Sequence, residues 1–147
     1  MGKTGGFLEY KRKNPGYRSK EERIRDFRAV EKMFTEDELR EQAARCMACG
    51  TPFCHGCGCP LGNIIPEFNN LAYKGRWEEA LHTLIATASF PEFTGRLCPA
   101  PCETACVLDG TKDVPVSIRQ IELSIIEKAF KDGHIRPAPP ARRFDQR

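Results

Sequence analysis

Apolar side chains recur at helical spacing over several segments of this chain, while the alternation that marks a strand is scarce and short. Ser19-Lys-Glu-Glu22 has the spacing of a capping box, in which a hydroxyl and a carboxylate satisfy helix-end N–H groups reciprocally. Ile24, Phe27, Val30 and Phe34 follow at helical intervals and predict a first helix. Thr35-Glu-Asp-Glu38 repeats the device and opens a second helix, with Leu39, Ala43 and Cys46 in line, so that the helix delivers a cysteine at its C-terminal end. From Cys46 to Gly62 glycine and proline interrupt any period, which predicts a loop shaped by whatever its side chains bind. Helix resumes after Pro66, and beyond Gly75 the residues Trp77, Ala80, Leu81, Leu84, Ile85 and Ala88 form one apolar face, read as core. Ser89 to Gly95 breaks the pattern. Ser117 to Lys131 reads as a last helix that stops at Gly133, where glycine can take the left-handed cap.

The remaining segments are irregular. Val114 to Val116 is at most a short extended piece. Residues 1–18 are glycine-rich and basic without a period, and read as an extended arm lying on something else. Residues 19–135 form the folded domain, and 136–147, with Pro137, Pro139 and Pro140, read as an exposed linker. The fold class expected is mainly α.

Size and charge remove several functions. At 147 residues the chain can bury a core without covalent staples, so its eight cysteines are not forced into a disulfide framework. The N-terminus has no apolar signal region, and no apolar run approaches the ~20 residues that span a bilayer. Gly6 stands where a myristoylation signal needs Ser or Thr. No membrane role and a cytoplasmic location are expected, and there thiols stay reduced and read as metal ligands first. A net charge of +3, from 23 basic and 20 acidic side chains spread along the chain, is too balanced for a nucleic-acid binder. Lys11, Arg12 and Lys13 read as a solvated patch on the arm.

Cys46, Cys49, Cys54, Cys57 and Cys59 crowd one short stretch, and Cys98, Cys102 and Cys106 follow at every fourth position. Structural zinc sites usually draw on two Cys-x-x-Cys hooks set well apart, and Cys54 follows Cys49 too soon for that. Zinc held by Cys46, Cys49, Cys98 and Cys102 is geometrically possible but leaves four cysteines idle. An iron-sulfur cage suits the spacing better. The run C-x2-C-x4-C-x4-C-P is a stretched relative of the bacterial ferredoxin pattern, and Cys59-Pro60 and Cys98-Pro99 both carry the trailing proline. Gly50, Gly56 and Gly58 are expected to let main chain approach inorganic sulfide and donate to it. Two groups of cysteines suggest two clusters.

Glu122 falls inside the apolar stripe Ile118, Ile121, Ile125, Ile126 and Ala129. A carboxylate there meets a buried cation, is held protonated, or binds metal. His55, His82 and His134 read as loop or surface residues, and Trp77 as core.

The segments Arg45 to Asn69 and Phe90 to Leu108 closely resemble the N-terminal domain of the small subunit of bacterial NADPH-dependent glutamate synthase, and the likeness runs from Gly6-Phe-Leu-Glu-Tyr10 to the proline-rich tail. Related modules open dihydropyrimidine dehydrogenase and NADPH:ferredoxin oxidoreductases. The resemblance implies an α-helical ferredoxin-like domain holding two 4Fe-4S clusters. It gives one cluster to Cys46, Cys49, Cys54 and Cys106, and the other to Cys59, Cys98, Cys102 and a non-cysteine ligand. In dihydropyrimidine dehydrogenase that ligand is a glutamine seven residues after a proline; counted from Pro115, the position is Glu122. Here one extra residue separates Cys54 from Cys59, and Cys57 lies in the gap as an alternative ligand, read as a spare thiol. Arg96 and Arg119 are placed to neutralise cluster charge or Glu122.

By resemblance the small subunit passes hydride from NADPH to FAD, and electrons then cross iron-sulfur clusters to FMN in the large subunit, where 2-oxoglutarate and glutamine-derived ammonia give glutamate. The G-x-G-x-x-G fingerprint of the family's FAD and NADPH domains does not occur here. The chain is therefore expected to be either a piece of such a subunit or a separate subunit docking on a flavoprotein and the glutamate synthase large subunit. A non-redox interaction module stapled by metal is the alternative.

Overall fold

The computed structural model describes residues 2–112 and 114–142. Eight α-helical segments occur among them: α1 (Gly6–Glu9), α2 (Lys20–Arg23), α3 (Glu36–Ala44), α4 (Ile65–Tyr73), α5 (Trp77–Ile85), α6 (Pro91–Leu97), α7 (Pro101–Thr104) and α8 (Ile118–Asp132), with a π turn at Cys54–Gly58 between α3 and α4. No strand forms among the described residues; one isolated antiparallel bridge joins Tyr17 to Glu31. The extended piece expected at Val114–Val116 is not a strand, since Val114 takes a left-handed φ of 50°. No described helix is long and apolar enough to cross a membrane.

The core is built around α8. Its residues Gln120 to Ile126 are all buried, so this helix is enclosed on every side, with α3, α4, α5 and α6 packed against it. It ends as its sequence predicts: Gly133 adopts φ 75° and the following N–H groups turn back to the last carbonyls. Thr35 and Glu38 form both bonds of the capping box that starts α3. Leu39 and Ala43 from α3 join Phe68 and Ala72 from α4 and Ala80, Leu81 and Leu84 from α5 in one core. Ile85 departs from the expected stripe and is exposed, while Trp77 sits at the rim, its Nε1 donating to Glu36 at 3.3 Å and the Lys128 ammonium 5.4 Å above its ring.

The first predicted helix is corrected. Ser19 and Glu22 form their capping box, yet the helix stops after one turn, and Ile24 and Phe27 stand 84% and 109% exposed. The Asp26 carboxylate pairs with Arg18 and accepts the Arg28 N–H at 2.9 Å, a local bonding scheme that competes with the helical ladder. The chain then doubles back, with Arg18 N–H on the Val30 carbonyl and Lys32 N–H on the Gly16 carbonyl.

Two further expectations change. The break expected from Ser89 to Gly95 is instead α6, started by Pro91 in its first turn, where a missing N–H costs nothing. Gly95 lets α6 close on α8, since a Cβ there would stand 2.8 Å from the Leu123 Cβ. The arm lies on the domain's own body. Lys13 N–H donates to Gln42 Oε1, Ser117 Oγ to the Lys13 carbonyl, and Arg12 to the Pro115 carbonyl and the Glu103 carboxylate. Gly6 sits so close to the Ala44 carbonyl that no side chain would fit. Of the expected linker, residues 136–142 are described and exposed, with the Arg136 guanidinium donating to the Gly133 carbonyl; residues 143–147 lie outside the described part.

Candidate metal centre

All eight cysteines are free thiols. Cys46 follows the C-cap of α3, Cys49 and Cys54 come from the loop and π turn beyond it, and Cys106 lies just past α7. These four line a single cavity whose other walls are apolar, among them Ile65, Val116 and Ile118, except for Asn69. Burial pushes the Cys54 thiol up to about 12, with Cys46, Cys106 and Cys49 adding to the rise. Cys46 is raised by burial too, opposed by the Ala48 N–H and the Asn69 side chain.

The second group forms where three short elements meet α8. Cys59 follows the π turn, Cys98 follows α6, Cys102 lies in α7, and Glu122 lies on α8. The Cys102 thiol is held far above its usual range by burial first, then by Glu122, Glu103, Cys59 and Cys98. Glu122 is 6% exposed, and burial pushes it up to about 7 against the hydrogen bond it accepts from Asn63 Nδ2 at 3.0 Å. The ion pair allowed by the sequence is not formed: Arg96 pairs with Glu127, and the Arg119 guanidinium donates to the Gly95 and Arg96 carbonyls. Asn63 is held in turn, its Oδ1 accepting from Thr87 and its carbonyl meeting His55 Nδ1. Cys57 is exposed, donates to the Phe53 carbonyl, and does not line the first cavity. His82 and His134 are exposed.

The three glycines of this loop do not pack alike. A Cβ at Gly50 or Gly56 would meet nothing within 4 Å, whereas one at Gly58 would stand 2.8 Å from the Cys102 Cα and 2.7 Å from the Ala105 Cβ. Gly58 thus lets the π turn lie directly on α7. The left-handed positions beside the thiols are alanines, Ala48 at φ 49° and Ala100 at φ 57°. Such a backbone is costly for a side-chain-bearing residue and persists where the surroundings demand it. At Ala100 the twist aims its N–H at Cys98 Sγ, 3.3 Å away.

Residues 23–134 match the family model described as dihydropyrimidine dehydrogenase domain II, 4Fe-4S cluster. The chain belongs to this family of 4Fe-4S domains. It is 57% identical over 141 residues to the glutamate synthase [NADPH] small chain of Mycobacterium tuberculosis, covering 95% of this chain and 28% of that one. The Bacillus subtilis glutamate synthase [NADPH] small chain is 48% identical, across 97% of this chain and 30% of its own length. The glutamate synthase [NADH] of Schizosaccharomyces pombe is 49% identical across all of this chain but only 7% of its own length. The chain thus spans less than a third of these relatives.

As a 4Fe-4S domain, the chain offers donors that fit the group. Thiols this reluctant to ionise become ligands when metal cations supply the compensating charge. Among the described residues no three Cys, His, Asp or Glu side chains converge on one ion's position, yet four thiols line one cavity, which does not match a preformed zinc site. The zinc set Cys46, Cys49, Cys98 and Cys102 is not assembled, because its members divide between the two groups.

Sequence reasoning missed Asn63, Asn69, Ala48 and Ala100. Asn69 carried a readable signal, being a polar residue on the buried stripe Ile65, Phe68, Asn69 and Ala72, the same anomaly that marks Glu122. Nothing in the sequence distinguishes the two alanines.

Proposed function

We propose that this chain is the electron-transfer module of the small subunit of an NADPH-dependent glutamate synthase and holds two 4Fe-4S clusters. Cys46, Cys49, Cys54 and Cys106 bind one; Cys59, Cys98, Cys102 and Glu122 bind the other. The observation that carries this reading is the cavity ringed by four thiols that come from segments far apart in the chain. When bound, such clusters take up and pass on single electrons. The route runs from FAD, reduced by NADPH in the remainder of the small subunit, to FMN in the large subunit, which makes glutamate from glutamine and 2-oxoglutarate.

The protein's own groups prepare the sites. Ile65, Val116 and Ile118 give the first cavity a buried apolar wall, and solvent exposure is one of the levers on cluster potential. Asn63 holds Glu122 toward Cys102 and orients its carboxylate through Oε1. The glutamate synthase reading is favoured over the dihydropyrimidine dehydrogenase one by relatives of up to 57% identity that bear the former name. We place the protein in the cytoplasm, where its thiols stay reduced.

Anaerobic purification followed by iron, sulfide and zinc assays tests the reading: about eight iron and eight sulfide per chain are expected for two 4Fe-4S clusters. Zinc without sulfide would sink it and leave the metal-stapled interaction module. Glu122→Ala is expected to halve the iron while Glu122→Gln keeps it, because the amide oxygen still offers a donor. Full iron content in the alanine variant would remove Glu122 from the ligand set.

A further inference from the structure

One buried polar side chain at the first thiol group remains without a role. Asn69 is 0% exposed, and neither its Nδ2 nor its Oδ1 has a hydrogen-bond partner. A buried amide left wholly unpaired costs on the order of 1–3 kcal/mol for each lost partner, so such a group in a packed core points to something else that it serves. Asn69 lies on the inner face of α4, one turn after Ile65, and lines the cavity shared by Cys46, Cys49, Cys54 and Cys106. Its neighbours there are apolar carbon and sulfur. It shares that cavity with the Cys46 sulfur without a completed hydrogen bond between them.

We propose that Asn69 is a positioning and tuning residue for the cluster held by Cys46, Cys49, Cys54 and Cys106: its Nδ2 donates to a sulfur of that cluster and raises its reduction potential. The amide orientation follows from the chemistry of the cavity. Thiolate and sulfide sulfurs only accept, so the nitrogen faces them, and an oxygen turned that way would oppose their charge. The direction of the effect follows from charge. One electron enters from the reduced flavin and leaves unchanged to the next acceptor, so the reduced form carries one more negative charge and gains more from an N–H dipole than the oxidised form does. Hydrogen bonds to cluster sulfurs are among the levers that set such potentials. The inference rests on the iron-sulfur reading above.

The test uses the full chain loaded anaerobically with iron and sulfide, with the potential of each cluster read by EPR during reductive titration. Cys106→Ala, which leaves no donor at that position, identifies the cluster concerned by its loss. Asn69→Leu, apolar and similar in volume, is expected to keep the iron and sulfide of the parent protein, to shift that cluster to lower potential and to leave the other cluster's potential unmoved. An unchanged or raised potential in an iron-replete variant overturns the assignment. Should Asn69→Leu fail to load, the parent protein labelled with nitrogen-15 at asparagine side chains decides: pulsed EPR of the reduced cluster shows a nitrogen-15 coupling if Nδ2 donates, and none overturns the proposal. If the parent protein takes up no sulfide, the reading beneath falls, and the inference with it.

Discussion

Gly58→Ala is expected to strip iron and sulfide from both thiol groups at once. The added methyl would stand 2.8 Å from the Cys102 Cα, 2.7 Å from the Ala105 Cβ and 3.2 Å from the Pro101 carbonyl oxygen. Two of those three atoms are backbone, so no side chain can swing aside, and the π turn and α7 must separate. Overpacking of this kind typically costs about 1–3 kcal/mol. The consequence for binding exceeds the consequence for folding because of what the two elements carry. Cys54 and Cys59 sit at the ends of the π turn, while Cys102 lies in α7 and Cys106 just beyond it. Each thiol group therefore draws one member from either side of the seam, and one displaced contact opens both. Gly56→Ala is the matched control, since its Cβ would enter open space. Metal analysis after anaerobic reconstitution, with circular dichroism to follow the helices, reads the outcome: Gly58→Ala helical but iron-poor, Gly56→Ala indistinguishable from the parent. A fully loaded Gly58→Ala protein would show that the seam is not needed for assembly.

Arg45→Met is expected to lower stability by about 2–4 kcal/mol, the combined effect of lost packing and lost charge-assisted hydrogen bonds. The Arg45 side chain is 0% exposed, an exceptional position for a guanidinium. Its terminal nitrogens donate to the Pro115 carbonyl at 3.3 Å and the Val114 carbonyl at 2.8 Å. It thereby ties the end of α3, where Cys46 begins the first thiol group, to the segment that leads into α8 and supplies Val116 and Ile118 to the cavity wall. Methionine fills part of the space but offers no donor. The denaturant concentration at which cluster absorbance bleaches under anaerobic conditions is expected to fall clearly. Arg76→Met, which removes a half-exposed ion pair with Glu79, is expected to move it little. Equal midpoints for the two variants would show that the buried guanidinium is not holding these segments together.

How far these features can be read ahead of the fold depends on their range along the chain. The Thr35–Glu38 box and the Gly133 cap act within one helical turn, and the structure forms both where the residues predict them. The Ser19–Glu22 box forms as well, but the helix it opens fails to propagate, because an apolar stripe becomes a helix face only where something packs on it. Ile24 and Phe27 meet no such surface. The anomaly of Glu122 inside its stripe is legible for the same local reason that its stripe is.

Its partner is another matter, since Asn63 comes from a loop that only the packing of α4 and α8 brings alongside. The glycines teach the same lesson: composition marks Gly50, Gly56 and Gly58 as equals, and what lies opposite each one separates them. Cysteine spacing alone points to a multi-metal group, since ligand chemistry and loop length are properties of neighbouring residues. Which sulfurs share a cavity, which alanine N–H groups turn toward them and which asparagine faces them depend on contacts between segments distant in the chain. Those contacts arise from burying several helices around α8 at once, and no window of residues contains them.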